Sequence, residues 1–150
     1  MLGRMLHDPD RLESDLGSMQ GLGLLDFEVT FHPHKTLARR RYTPTRDNPF
    51  AAAGPVAGYE IHSGNVRYGA CPPCFVHEGG VDGAADPDRL IFGTFIHDIF
   101  GNPTFTRVFV DLLRRRKGLA PLSQPLPRPR DRMEESYERM ASALERLAIF

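Results

Sequence analysis

No Gly-x-Cys-x-Gly or Gly-x-Ser-x-Gly turn occurs anywhere in the 150 residues, so a complete nucleophile and base pair cannot be assembled from this chain alone. Cysteine is scarce. Cys71 and Cys74 are the only two, too few for a secreted disulfide scaffold. No apolar run approaches the ~20 residues that span a bilayer, and the N-terminus lacks the charged, apolar and small-residue order of a signal peptide. A cytoplasmic protein without membrane segments is therefore expected. Neither sign of charge dominates, with 19 basic and 19 acidic residues, so the overall field favours neither nucleic acid nor an acidic membrane surface. The dense basic runs are local, at 39–41 and 114–117, and the second falls where a helix should end and complements its dipole. No internal repeat is visible.

What is present suffices for one domain. A length of 150 residues with 41% hydrophobic content can build a core. Two stretches stand out, Gly58-Tyr59-Glu60-Ile61-His62 and Gly93-Thr94-Phe95-Ile96-His97. Each runs up to a histidine, and a histidine at a strand end is held rigidly where a base can meet a substrate.

Along the chain, the apolar residues at 1, 2, 5 and 6 read as the last turns of a helix stopped near Asp8-Pro9. Phe27, Val29 and Phe31 alternate with polar neighbours in a half-buried strand, and residues 35–43 read as its antiparallel neighbour. Residues 44–58 form an exposed loop, 56–62 a strand and 74–77 a short strand. Residues 83–88 read as a turn, and 90–97 as one strand apolar enough to be buried on both faces. Asn102 and Pro103 open a helix striped by Phe105, Val108, Phe109, Leu112 and Leu113, which Gly118 ends. A proline-rich linker at 119–130 leads to a final helix over 131–148, with Asp131 and Glu134 as its capping box and Met133, Tyr137, Met140, Leu144 and Leu147 as its stripe.

Taken in order, Gly-Leu-Gly-Leu-Leu-Asp at 21–26, Thr30, Lys35-Thr36, Gly58-Tyr59-Glu60-Ile61-His62-x-Gly64, Asp82-Gly83 and residues 93–100 resemble the C-terminal glutamine amidotransferase domain of the cobyric acid synthases, a CobB/CobQ-like class I family. The resemblance runs nearly the whole length. It implies an α/β fold, the C-terminal part of a flavodoxin-like domain with a mixed sheet and flanking helices. It also implies a glutaminase in which a cysteine on a strand-to-helix turn attacks the glutamine amide and a histidine activates it. The ammonia would feed an ATP-dependent synthetase that amidates corrin-ring carboxylates on the route to cobalamin. By position His97 corresponds to the catalytic histidine, and with Ile at 99 the third triad member has no obvious counterpart.

In that family the elbow runs through its cysteine into Met-Leu-Gly, and this chain opens at Met1-Leu2-Gly3. The expectation is a partial amidotransferase domain over 1–150. The nucleophile, and a synthetase domain that uses ATP and magnesium, would lie upstream. No cofactor is expected on this part; glutamine is its expected partner, and the corrinoid would be met through the synthetase domain. The sheet's missing half would leave the 90–96 strand with an exposed edge. The sibling amidotransferase that makes the a,c-diamide is the near alternative. A non-catalytic binding module is the alternative of another class.

Glu60 and His62 share a face of their strand and are expected in a structural or supporting role beside the pocket. Asp98 adjoins His97, but adjacent strand residues point oppositely, which argues against direct pairing. Cys71, Cys74 and His77 have the local spacing of half a zinc site. Structural zinc takes four ligands and no second Cys-x-x-Cys exists, so no metal is expected. Neither cysteine follows a glycine turn into a helix, and neither reads as a nucleophile. His32-Pro33-His34 reads as a solvated strand end.

Overall fold

The structure is a computed structural model that describes residues 1–88, 90–126 and 129–147, with the backbone alone at 129 and 130. It divides into two compact units, Met1–Ile99 and Phe100–Phe150. In the first, the spine is the long strand β3 (Phe27–Pro44). The strand β4 (Val56–Tyr68) runs antiparallel along one edge of it for its whole length. On the other edge, β1 (Met5–His7) pairs in parallel with the start of β3, and β5 (Pro73–His77) pairs antiparallel with its end. β2 (Ser18–Gln20) pairs with β1, and β6 (Gly80–Asp86) joins β5 to β7 (Ile91–Gly93). The two-residue β8 (Ile96–His97) adds to the free edge of β4. The sheet is thus mixed and the chain α/β, as the sequence resemblance implies.

Residues 35–43 are the second half of β3, a continuation of the first strand and not its neighbour. Phe31 pairs with Gly64 and Thr36 with His62, so residues 32–35 stand opposite Ser63 alone. Pro33 has no N–H to give a ladder, which suits it to such a bulge. The bulge also reverses parity. Before it, odd residues such as Val29 face the core; after it, even residues such as Tyr42 do. Val29, Tyr42, Val56 and Phe75 are all at most 1% exposed and form the centre of that core.

Several local expectations are overturned. Residues 5–7 are strand, because extended backbone there reaches both β2 and β3. Residues 83–88 continue β6 as far as Asp86, with Gly83 at φ 72 inside it. Residues 90–97 are two short strands paired to different partners, β7 to β6 and β8 to β4. The loop at 44–58 is partly buried: Asn48 and Phe50 lie inside, and Asn48 accepts from the Phe50 N–H at 2.8 Å and donates to the Cys74 carbonyl.

In the second unit, α1 (Pro103–Arg116) opens after Asn102, whose carbonyl accepts from the Thr106 N–H, and closes at Gly118 with φ 68. Phe100, Phe105 and Phe109 pack ring against ring beside it. Residues 120–124 fold back along α1 and do not run free as a linker. Asp111 accepts from the Leu122 N–H at 2.8 Å, Arg107 donates to the Leu122 and Gln124 carbonyls, and Arg114 donates to the Ala120 carbonyl at 2.6 Å. α2 (Pro129–Arg146) starts two residues earlier than its acidic signal, so Asp131 lies in its first turn and does not cap it. Its apolar stripe is exposed at Met133, Tyr137 and Met140, and Leu147, just past its end, is exposed as well. The end of that helix as read from the sequence, at 148, lies outside the described residues, as do positions 127 and 128 of the linker.

Candidate active site

β4 and β8 build the site. Their register sets Tyr59 opposite His97 and Glu60 opposite Ile96, so Tyr59 and His97 share one face while Glu60, His62 and Ile96 share the other. The faces differ in environment. Val56, Glu60 and Gly64 on the inner face are buried, and so is Ile96 at 5% exposed. His97 is exposed on the outer face, its imidazole stacked on the Tyr59 ring with 5.0 Å between centroids and 13° between planes. Arg39 pairs with Tyr59 across the next strand, which extends the row to Arg39–Tyr59–His97. Beside it a cavity of about 370 Å³ is lined by Arg39, Arg41, Gly58, Tyr59 and Asp98.

Glu60 and His62 do come together, but behind the sheet from His97. Arg40 Nε donates to Glu60 Oε1 at 2.6 Å, and His62 Nε2 lies 3.2 Å from Glu60 Oε2. His62 Nδ1 donates to the Gly64 carbonyl at 2.8 Å, and its ring stacks on Phe95 at 4.4 Å. Burial pushes the Glu60 carboxyl up, yet Arg40 and His62 outweigh it and hold the group below the usual carboxylate range. Both side chains therefore lie on the opposite face of the sheet from the His97 ring.

A third acid belongs to the same region and had no role assigned from the sequence. Asp82, on β6, is 4% exposed; its Oδ2 accepts from the Thr94 hydroxyl and its Oδ1 from the Phe95 N–H at 3.1 Å. Thr94 Oγ1 in turn accepts from the Ile96 N–H at 3.0 Å. Burial raises the Asp82 carboxyl against the pull of those two donors. The signal available was the Asp82-Gly83 pair, where Gly83 sits at φ 72 and a Cβ would come within 3.2 Å of the Gly93 carbonyl.

The cysteines stand apart from this site. Cys74 is buried and its thiol is pushed up to about 12 by that burial, which disfavours the thiolate that both attack and metal binding require. Cys71 Sγ donates to the Ala85 carbonyl at 3.1 Å. His77 stacks edge-on against Tyr42. Among the described residues no three His, Cys, Asp or Glu side chains gather as a metal site would need. Residues 32–34 form the β3 bulge and not a strand end. No described helix is long and apolar enough to cross a membrane.

Residues 1–105, which include every side chain of this site, match the family model of the CobB/CobQ-like glutamine amidotransferase domain. The chain belongs to that family. Among its relatives is a cobyric acid synthase of Klebsiella pneumoniae subsp. pneumoniae, 40% identical over 99% of this chain and 31% of the relative. Another, from Thermoanaerobacter, is 35% identical over 97% of this chain and 31% of its own. A third, from Limosilactobacillus reuteri, is 36% identical over 94% and 28%. The chain thus spans about three-tenths of the length of these curated relatives.

Proposed function

We propose that this chain carries the histidine half of a glutaminase site that supplies ammonia for ATP-dependent amidation of a corrinoid, the role of a cobyric acid synthase. The observation that carries the reading is His97 itself. It stands exposed at the end of β8, seated on Tyr59, inside the matched region. The nucleophilic cysteine would come from outside these 150 residues, which span about three-tenths of the relatives' length. His97 would take the proton from its Sγ–H as the sulfur bonds to the side-chain carbonyl carbon of glutamine. The same proton would pass to the leaving nitrogen as the C–N bond breaks, releasing ammonia and leaving a thioester. Water, deprotonated by His97, would then hydrolyse the thioester to glutamate. Arg39 and Arg41 line the cavity beside Tyr59 together with Asp98, and their excess positive charge would suit the carboxylate of an amino acid.

The names of the relatives favour cobyric acid synthesis over the a,c-diamide reaction. ATP and magnesium would be held by the synthetase domain of the longer protein; in this chain the buried acids Glu60 and Asp82 are engaged by Arg40, His62 and Thr94. One experiment tests the reading: extend the chain at its N-terminus with a glycine-cysteine-glycine elbow and the strand before it, and assay glutamate release from glutamine. His97→Ala should lower the rate by about 10²-fold or more. Turnover that survives the substitution removes His97 from the chemistry. If the extended chain binds glutamine without hydrolysing it, a non-catalytic binding module is the better reading.

A further inference from the structure

β8 is only two residues long and hangs on the edge of β4, and two paired residues are too few to fix a catalytic ring by ladder hydrogen bonds alone. Something else must hold the approach to His97. Residues 94–96 are tied down by a carboxylate that belongs to neither β4 nor β8. Asp82 takes one donor from each of two successive residues, the Thr94 hydroxyl on Oδ2 and the Phe95 N–H on Oδ1. Because the Thr94 hydroxyl donates to Asp82, its lone pairs are turned toward the chain ahead, and one accepts the Ile96 N–H. The relay therefore runs from Asp82 through Thr94 to the residue bonded to His97.

We infer that Asp82, acting through Thr94, is the positioning residue for His97, holding the 94–96 segment so that the His97 imidazole lies flat on Tyr59. This rests on the reading of His97 as the glutaminase base. The chemistry supports a dedicated role, since an acid buried this deeply is costly to keep unless it is fully engaged. Both of its oxygens are spent on the segment that delivers His97, and Oδ1 takes a backbone donor that an apolar side chain at position 82 could not satisfy.

The test uses the 150-residue chain and proton NMR of the His97 ring, whose signals the ring current of Tyr59 should displace. A Tyr59→Leu variant supplies the undisplaced reference. Thr94→Val keeps the shape of the side chain and breaks the relay; it should move the His97 signals most of the way to that reference, whereas Thr94→Ser should keep them at the native position. Val56→Ala is the control for general destabilisation and should lower the unfolding midpoint while leaving the His97 signals in place. If Thr94→Val does not fold, Thr94→Ala carries the test, because it leaves room for water against Asp82. A folded Val or Ala variant with native His97 signals overturns the inference, and so does a Ser variant that loses them. No turnover is read, so this outcome and that of the glutaminase assay stand or fall separately.

Discussion

His97 and Tyr59 face each other across the β4–β8 pair, and their rings lie nearly parallel, 13° apart with 5.0 Å between centroids. This is the contact that turns an exposed histidine on a two-residue strand into an oriented one. Exposure leaves the imidazole open to a reacting group, while the phenol ring removes part of its rotational freedom. The proposed base needs both properties.

Replacing Tyr59 by Phe should leave stability and the stacking geometry nearly unchanged, because the ring face and not the hydroxyl meets His97. Tyr59→Ala should cost about 0.5–1.5 kcal/mol beyond the loss of buried area. Urea unfolding of the three proteins checks this, and a Phe variant as unstable as the Ala variant would contradict it.

Gly58 is the reason β8 can lie this close to β4. A Cβ built there would overlap Ile96 Cγ2 and come within 2.8 Å of the His97 carbonyl oxygen. Gly58→Ala is expected to push β8 outward, cost about 1–3 kcal/mol as an overpacked contact, and weaken the His97–Tyr59 stack. The unfolding midpoint and the His97 ring signals report the two effects together. An Ala variant with native values for both would show that β8 tolerates the extra methyl.

Much of this site was legible in the sequence because short motifs carry it. The Gly58–His62 stretch lies within β4 and the Gly93–His97 stretch ends in β8, and the family resemblance selected His97. Asp82 was quoted in that resemblance without a role, since its partners Thr94 and Phe95 are distant in sequence and meet it only through the β6–β7 pairing. The fold was harder to read. A break in alternation at 32–35 looks the same whether the chain turns back or merely bulges, and only the pairing with β4 distinguishes them. Residues 5–7 misled for a related reason: four apolar positions in six residues suit a helix turn as well as a short strand.

Tyr42 is wholly buried, and its hydroxyl has no hydrogen-bond partner among the described residues. Burial pushes its ionisation up to about 12. Since an unpartnered buried hydroxyl is a net penalty, Tyr42→Phe is expected to stabilise the protein by about 1 kcal/mol. Chemical denaturation measures it, and a loss of similar size would mean that the hydroxyl has a partner in solution.

The Arg40–Glu60 pair should behave asymmetrically. Glu60 is 6% exposed at its side chain and Arg40 30%, so removing the acid leaves a half-buried cation and an unmatched His62. Glu60→Ala is expected to cost about 3 kcal/mol. The double replacement Arg40→Met with Glu60→Leu removes both charges and should recover more than half of that loss. A double variant as unstable as the single one would place the cost in packing, with charge secondary.

Asp8 is expected to contribute to the acid limb of the stability curve. It is 3% exposed, and its two oxygens accept the backbone N–H groups of Leu12 at 2.7 Å, Glu13 at 2.8 Å and Ser14 at 2.9 Å, which organises the loop between β1 and β2. Burial raises its ionisation, but the three amides outweigh burial and hold it below the ordinary value. A depressed folded value means that the stabilisation is present above the unfolded value of about 3.9 and is lost as pH falls through the folded one. Glu28, held down by His7 and Arg67, and Asp111, held down by the Leu122 N–H and Arg107, act in the same direction. Asp8→Asn cannot accept three such donors. It should therefore lower stability at pH 7 and flatten, without abolishing, the fall in stability between pH 5 and pH 2. Urea midpoints for both proteins across that range decide it, and parallel curves would mean that the Asp8 loop is already open before the carboxyl titrates.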